Sequence, residues 1–149
     1  MSQTIINSTP LDKHPLDKSE VRKLILDNGV RVYLLSDPSF NVSAASMVVE
    51  TGSLENPDDR QGLAHFLEHM LFLGTEKYPD VDEYSTYLRT FGGYSNAYTA
   101  SDHTNYQLQV LPDGFEGALD RFAQFFISPL FTTEYTAREV NAVNSEHQK

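Results

Sequence analysis

Apolar positions change their period several times along this chain, and each change marks an element. Val21 to Leu35 opens on the run Leu24-Ile25-Leu26, crosses Asp27-Asn28-Gly29 and resumes at Val30-Arg31-Val32-Tyr33-Leu34-Leu35. That pattern predicts a hairpin, with Asn-Gly supplying the positive-φ residues of a type I′ turn. After a turn around Pro38, Val42 to Glu50 is rich in Ala and Val and predicts a third strand, suited to a sheet interior. Gly62 to Gly74 is apolar almost all round, which predicts a buried helix. The loop before it, Gly52 to Arg60, offers Asp58 or Asp59 as its cap.

Beyond a loop at Pro79, a short amphipathic helix is expected from about Asp82 to Thr90, ended by Gly92-Gly93. Tyr94 to Ala100 and His103 to Val110 then read as a hairpin about Ser101-Asp102, with Tyr106, Leu108 and Val110 alternating onto one side. Pro112-Asp113-Gly114 opens another helix, whose Phe115, Ala118, Leu119, Phe122 and Phe126 recur at helical spacing and predict core; Pro129 closes it. A last helix starts near Thr133 and reaches Lys149 with no Gly or Pro stop, so it reads as cut inside a helix. Residues 1–20 are polar, carry Pro10 and Pro15, and are expected to be a flexible lead-in in which His14 is solvent-exposed. Strands first, then a helix, a hairpin and more helices predict an α+β fold: a mainly antiparallel sheet with helices packed on one face.

Composition narrows the function. With 149 residues there is room for one domain, here 21–149, and nine Phe with eight Tyr suffice for a core. Acidic residues outnumber basic ones by 21 to 11, for a net charge of −10. Nucleic acid as a partner is thereby excluded, and neutral or basic peptides are favoured over acidic ones. The absence of cysteine excludes disulfides and Cys-type zinc fingers. No signal peptide and no stretch long enough to span a membrane is seen, so no membrane partner and a cytoplasmic location are expected.

The chemistry sits in His65-Phe66-Leu67-Glu68-His69. On a helix of 3.6 residues per turn, positions i and i+4 share a face and i+3 lies beside them. Two imidazoles from one turn supply half of a tetrahedral zinc site. Glu68 would then stand at the open position, where a general base for a water belongs. Three polar side chains on one face of an apolar helix need partners. A stable catalytic zinc site requires a third protein ligand. His103, His147 and several carboxylates are candidates, Glu139 and Glu146 among them, and spacing does not choose between them. Those two glutamates lie two turns apart on one helix face, which is equally the pattern of a solvated acidic surface.

These residues carry a family resemblance. Gly62 to Gly74, Ser95-Asn96-Ala97-Tyr98-Thr99, His103-Thr104-Asn105-Tyr106, Gly117 to Phe126 and Arg138 to His147 resemble the insulin-degrading enzyme/pitrilysin family of inverted-motif zinc metalloproteases, the inverzincins. The preceding hairpin and strand fit as well, so the likeness covers about residues 21 to 149. It implies a zinc metalloendopeptidase with one Zn²⁺ per catalytic domain, held by His65, His69 and Glu146, and with Glu68 as the catalytic base. It further implies that Glu139 helps orient the ligands, and that Asn96, Ala97 and Tyr98 belong to an edge strand on which a peptide substrate lies as an added strand. His103 and His147 are not ligands in that family. Its members are several times longer and enclose a chamber from two halves, so the remainder of a parent chain is an expected partner. Residues 1–149 alone are expected to bind zinc weakly and to cleave little. The alternatives are a non-catalytic family member, against which the intact His65, Glu68, His69 and Glu146 speak, and an inactive peptide-binding fragment.

Overall fold

The computed structural model describes residues 13–147. Residues 1–12 of the expected lead-in lie outside that range. His14 is exposed in a turn closed by Asp17 N–H on the His14 carbonyl at 2.8 Å. Two units follow one another, with the division at Asn41–Val42.

The first is the expected hairpin. Strands β1 (Glu20–Ile25) and β2 (Arg31–Ser36) pair antiparallel, Glu20 opposite Ser36 and Ile25 opposite Arg31. Its turn differs from the expectation. Gly29 N–H donates to the Leu26 carbonyl at 2.8 Å, and Leu26 N–H to the Val30 carbonyl at 2.9 Å. Asp27 and Asn28 are therefore the central residues, and Gly29 follows at φ +85° as the left-handed bulge of a three-residue loop. Asn28 Oδ1 accepts from Val30 N–H at 3.2 Å, a local bond that favours this longer loop.

The second unit is built on a three-stranded antiparallel sheet of β3 (Ser43–Val49), β4 (Tyr94–Thr99) and β5 (Thr104–Val110), in the order β3-β5-β4. Period-two alternation gives β5 its two faces. Tyr106, Leu108 and Val110 are buried on one side, while Gln107 is exposed on the other. The helices α2 (Glu83–Thr90) and α3 (Phe115–Gln124) bring Tyr84, Leu88, Ala118 and Phe122 onto that buried side. Leu71 and Phe125 complete the cluster. Complete burial of a side chain such as Leu88, 1% exposed, contributes roughly 2 kcal/mol. The expected α+β architecture, helices on one face of an antiparallel sheet, is the one observed.

Three details depart from the sequence pattern. Strand β3 is an edge of the described sheet, with Val48 56% exposed, because β5 takes the centre between it and β4. In α1 (Leu63–Met70) only Glu68 and Met70 are buried; Leu63 and Leu67 point away from the core. On α3 the core stripe omits Leu119, which is exposed. It takes in Phe125 just past the helix end, where the tightened last turn rotates the register.

Helix α1 is placed by its lead-in loop. Ser53 and Leu54 N–H groups donate to the Ala100 and Ser101 carbonyls of the β4–β5 turn, each at 2.9 Å. Gly52 permits that approach: a Cβ there would lie 2.5 Å from the Ala100 carbonyl oxygen. The cap of α1 is neither Asp58 nor Asp59. Asn56 Oδ1 accepts from Ala64 N–H at 2.9 Å, whereas Asp59 pairs with Arg60 at the surface. The last helix, α4 (Thr133–His147), packs against α1. No helix among the described residues is long and apolar enough to cross a membrane.

Candidate metal centre

One turn of α1 aims His65 and His69 at the same point, with their Nε2 atoms 3.2 Å apart. Helix α4 faces them. Glu146 Oε2 lies 3.4 Å from His65 Nε2 and 3.6 Å from His69 Nε2. A tetrahedral zinc with bonds of about 2.0–2.2 Å separates its donor atoms by roughly 3.3–3.6 Å. The three donors thus already stand at the corners of one face of such a tetrahedron. Among the described residues this is the one group of three His, Cys, Asp or Glu side chains so arranged.

Two turns back along α4, Glu139 Oε2 lies 3.1 Å from His69 Nδ1. A carboxylate only accepts, so the proton is on Nδ1 and the Nε2 lone pair is left toward the centre. The Glu139 side chain is 13% exposed against 50% for Glu146. Of the two glutamates on this face, one is packed away behind a histidine and the other reaches out over both.

Glu68, 7% exposed, is the buried charge of α1. Its Oε2 accepts a hydrogen bond from Thr99 Oγ1 of β4 at 2.6 Å. Burial, with the nearby Glu68 carboxylate adding to it, holds the Tyr106 phenol well above its ordinary value, so it stays neutral. Two cavities meet at Glu68. One of about 510 Å³ is lined by His65, His69, Phe72, Ser95, Asn96 and Glu139, among others; the second, of about 540 Å³, runs past Asn56, Gly62, Tyr98 and Thr99. Ala97 lines both. The edge of β4 away from β5 has no strand partner among the described residues, and residues of β4 line both cavities.

Of the residues singled out from sequence, His65, Glu68, His69, Glu139 and Glu146 come together in this cleft, and Asn96, Ala97 and Tyr98 form part of its wall. His103 does not. It sits at the β4–β5 turn with Nδ1 2.7 Å from Asp102 Oδ1 and Nε2 3.4 Å from the Tyr98 hydroxyl. Sequence reasoning gave no individual role to Thr99. Its signal is the hairpin register, which sets Thr99 opposite Thr104 on the side facing α1.

An inverted His-x-x-Glu-His helix on an antiparallel sheet, faced by a carboxylate-bearing helix, defines a peptidase family. Residues 31–149 match the model of the insulinase family, peptidase family M16, and the chain belongs to it. It is 53% identical to the insulin-degrading enzyme of Drosophila melanogaster over 99% of its own length and 15% of that protein. To the insulin-degrading enzyme of Homo sapiens it is 54% identical over 93% of its length and 14% of that protein. The crystal structure of pitrilysin superposes with a TM-score of 0.89 at 43% identity, covering 97% of this chain and 15% of that one. The chain spans about a seventh of the length of these relatives.

Proposed function

We propose that the chain is the zinc-carrying part of a metalloendopeptidase. The observation that carries this reading is the mutual spacing of His65 Nε2, His69 Nε2 and Glu146 Oε2, each 3.2 to 3.6 Å from the others, with the Glu68 carboxylate beside them. These three residues would hold one Zn²⁺. Zinc at that point supplies a polarised water with a pKa of about 7 and a Lewis acid for the scissile carbonyl. Glu68 accepts the proton as the water attacks, and delivers it to the amine nitrogen as the peptide bond breaks. Its burial keeps bulk water from competing for that proton. The substrate lies as an added strand along β4, where backbone groups of Asn96, Ala97 and Tyr98 fix it independently of its sequence. The cavities on either side of Ala97 would receive side chains flanking the cleaved bond. With a net charge of −10, neutral and basic peptides are favoured.

The test is metal removal from the natural polypeptide that carries these residues. A zinc chelator is expected to abolish cleavage of an internally quenched peptide, and one equivalent of zinc per site to restore it. Cleavage indifferent to chelation would overturn the proposal. Residues 1–149 taken alone serve as a control, expected to bind zinc weakly and to turn over negligibly.

Glu139→Gln is expected to give a graded loss. It removes the charge that holds the Nδ1 proton of His69, and such partners change metal affinity or activity by about 10- to 100-fold. Zinc affinity and kcat/KM measured side by side check this. A wild-type value for both would leave Glu139 as a carboxylate packed against His69 with no part in holding the metal.

A further inference from the structure

The donor that Glu68 has found is as specific as the base itself. A buried carboxylate without a hydrogen-bond partner is destabilising, and Thr99 is the one side chain among the described residues that donates to it, at 2.6 Å from Oε2. Thr99 is itself held. It pairs with Thr104 at the closed end of the β4–β5 hairpin, and the two side chains share the face toward α1. The hydroxyl of Thr104, a residue 5% exposed, donates to the Thr51 carbonyl at 2.9 Å and lies 3.5 Å from Thr99 Oγ1. At 2.6 Å against 3.5 Å, the Glu68 carboxylate is the nearer acceptor for the Thr99 proton. A β-branched residue in a paired strand has few alternative χ1 states.

The consequence falls on the other oxygen. Thr99 donates to Oε2, no side chain among the described residues donates to Oε1, and both cavities touch Glu68. We propose that Thr99 is a positioning residue for the general base: its hydroxyl clamps one carboxylate oxygen of Glu68 so that the other is presented to the attacking water. Thr99 thereby links the strand that carries the substrate to the group that takes the proton. A peptide added along β4 lies on the same strand as the residue that aims the base. This inference rests on the peptidase reading, since it assigns Glu68 the proton.

The experiment compares Thr99→Val, Thr99→Ser and Glu68→Gln with wild type in the natural polypeptide, by kcat, KM, zinc content and melting temperature. Val matches Thr in shape and lacks the hydroxyl; Ser keeps the hydroxyl. Thr99→Val is expected to lower kcat by about 10- to 100-fold, the scale of a misplaced reacting group, with KM and zinc content close to wild type and a melting temperature somewhat lowered by the unpartnered Glu68 carboxylate. Thr99→Ser is expected to recover most of kcat. Wild-type kcat in Thr99→Val overturns the proposal, as does a loss that comes with lost zinc, or one that Ser does not recover. A Glu68→Gln enzyme as active as wild type would instead overturn the assignment of Glu68 as the base on which this inference rests, whatever Thr99→Val does.

Discussion

Glu68→Gln is expected to lower kcat by about 10²- to 10⁴-fold in the natural polypeptide while leaving zinc in place. The substitution keeps the size of the side chain, and the amide oxygen can still accept from Thr99 Oγ1. What disappears is the ability to take a proton. On the proposed assignment no metal-holding atom is altered, because the donors would be His65 Nε2, His69 Nε2 and Glu146 Oε2, and the proposed peptide strand along β4 would be untouched. The expected pattern is therefore a collapse of kcat with little change in KM and full zinc content after dialysis. Loss of zinc from this variant would mean that Glu68 holds the metal and that the two carboxylates have exchanged roles.

Glu146→Gln is expected to do the reverse. Its carboxylate is the only anionic donor of the three, placed 3.4 and 3.6 Å from the two imidazole nitrogens. A neutral amide oxygen cannot replace the charge that a divalent cation meets there. Zinc affinity should fall by more than the roughly 10- to 100-fold expected of Glu139→Gln, and activity should fall with it. Zinc retained after dialysis is the deciding quantity: near one equivalent in Glu68→Gln, far below it in Glu146→Gln. Equal retention or equal loss in the two variants contradicts the division of labour.

Local chemistry was legible in the sequence, and tertiary placement much less so. His65, Glu68 and His69 are one helical turn, so the spacing alone sets them on one side of α1. Likewise, Glu139 and Glu146 share a face because they lie two turns apart. Nothing local says that this face meets α1, since the packing of α4 on α1 joins residues some seventy positions apart; only the family resemblance pointed to Glu146. The β4–β5 hairpin and the inward Tyr106, Leu108 and Val110 followed from alternation. Errors gathered where two local options have nearly equal energy. Asp58, Asp59 and Asn56 all precede α1, and the loop geometry brings Asn56 to the Ala64 N–H of its first turn. Asn28-Gly29 suits two hairpin turns, and the bond from Val30 N–H to Asn28 Oδ1 accompanies the longer. An Ala/Val-rich strand suits a centre or a protected edge, and β5 took the centre. Thr99 escaped because a single threonine in a strand carries no pattern of its own; its role exists only across the gap to Glu68.

The central claim is that His65, His69 and Glu146 hold one zinc ion. Anomalous diffraction at the zinc edge, from crystals grown with zinc, tests it most directly. A single strong peak about 2.0–2.2 Å from His65 Nε2, His69 Nε2 and Glu146 Oε2, with Glu68 uncoordinated, is the predicted result. No peak between the three donors, or one at His103 and Asp102 instead, would contradict it.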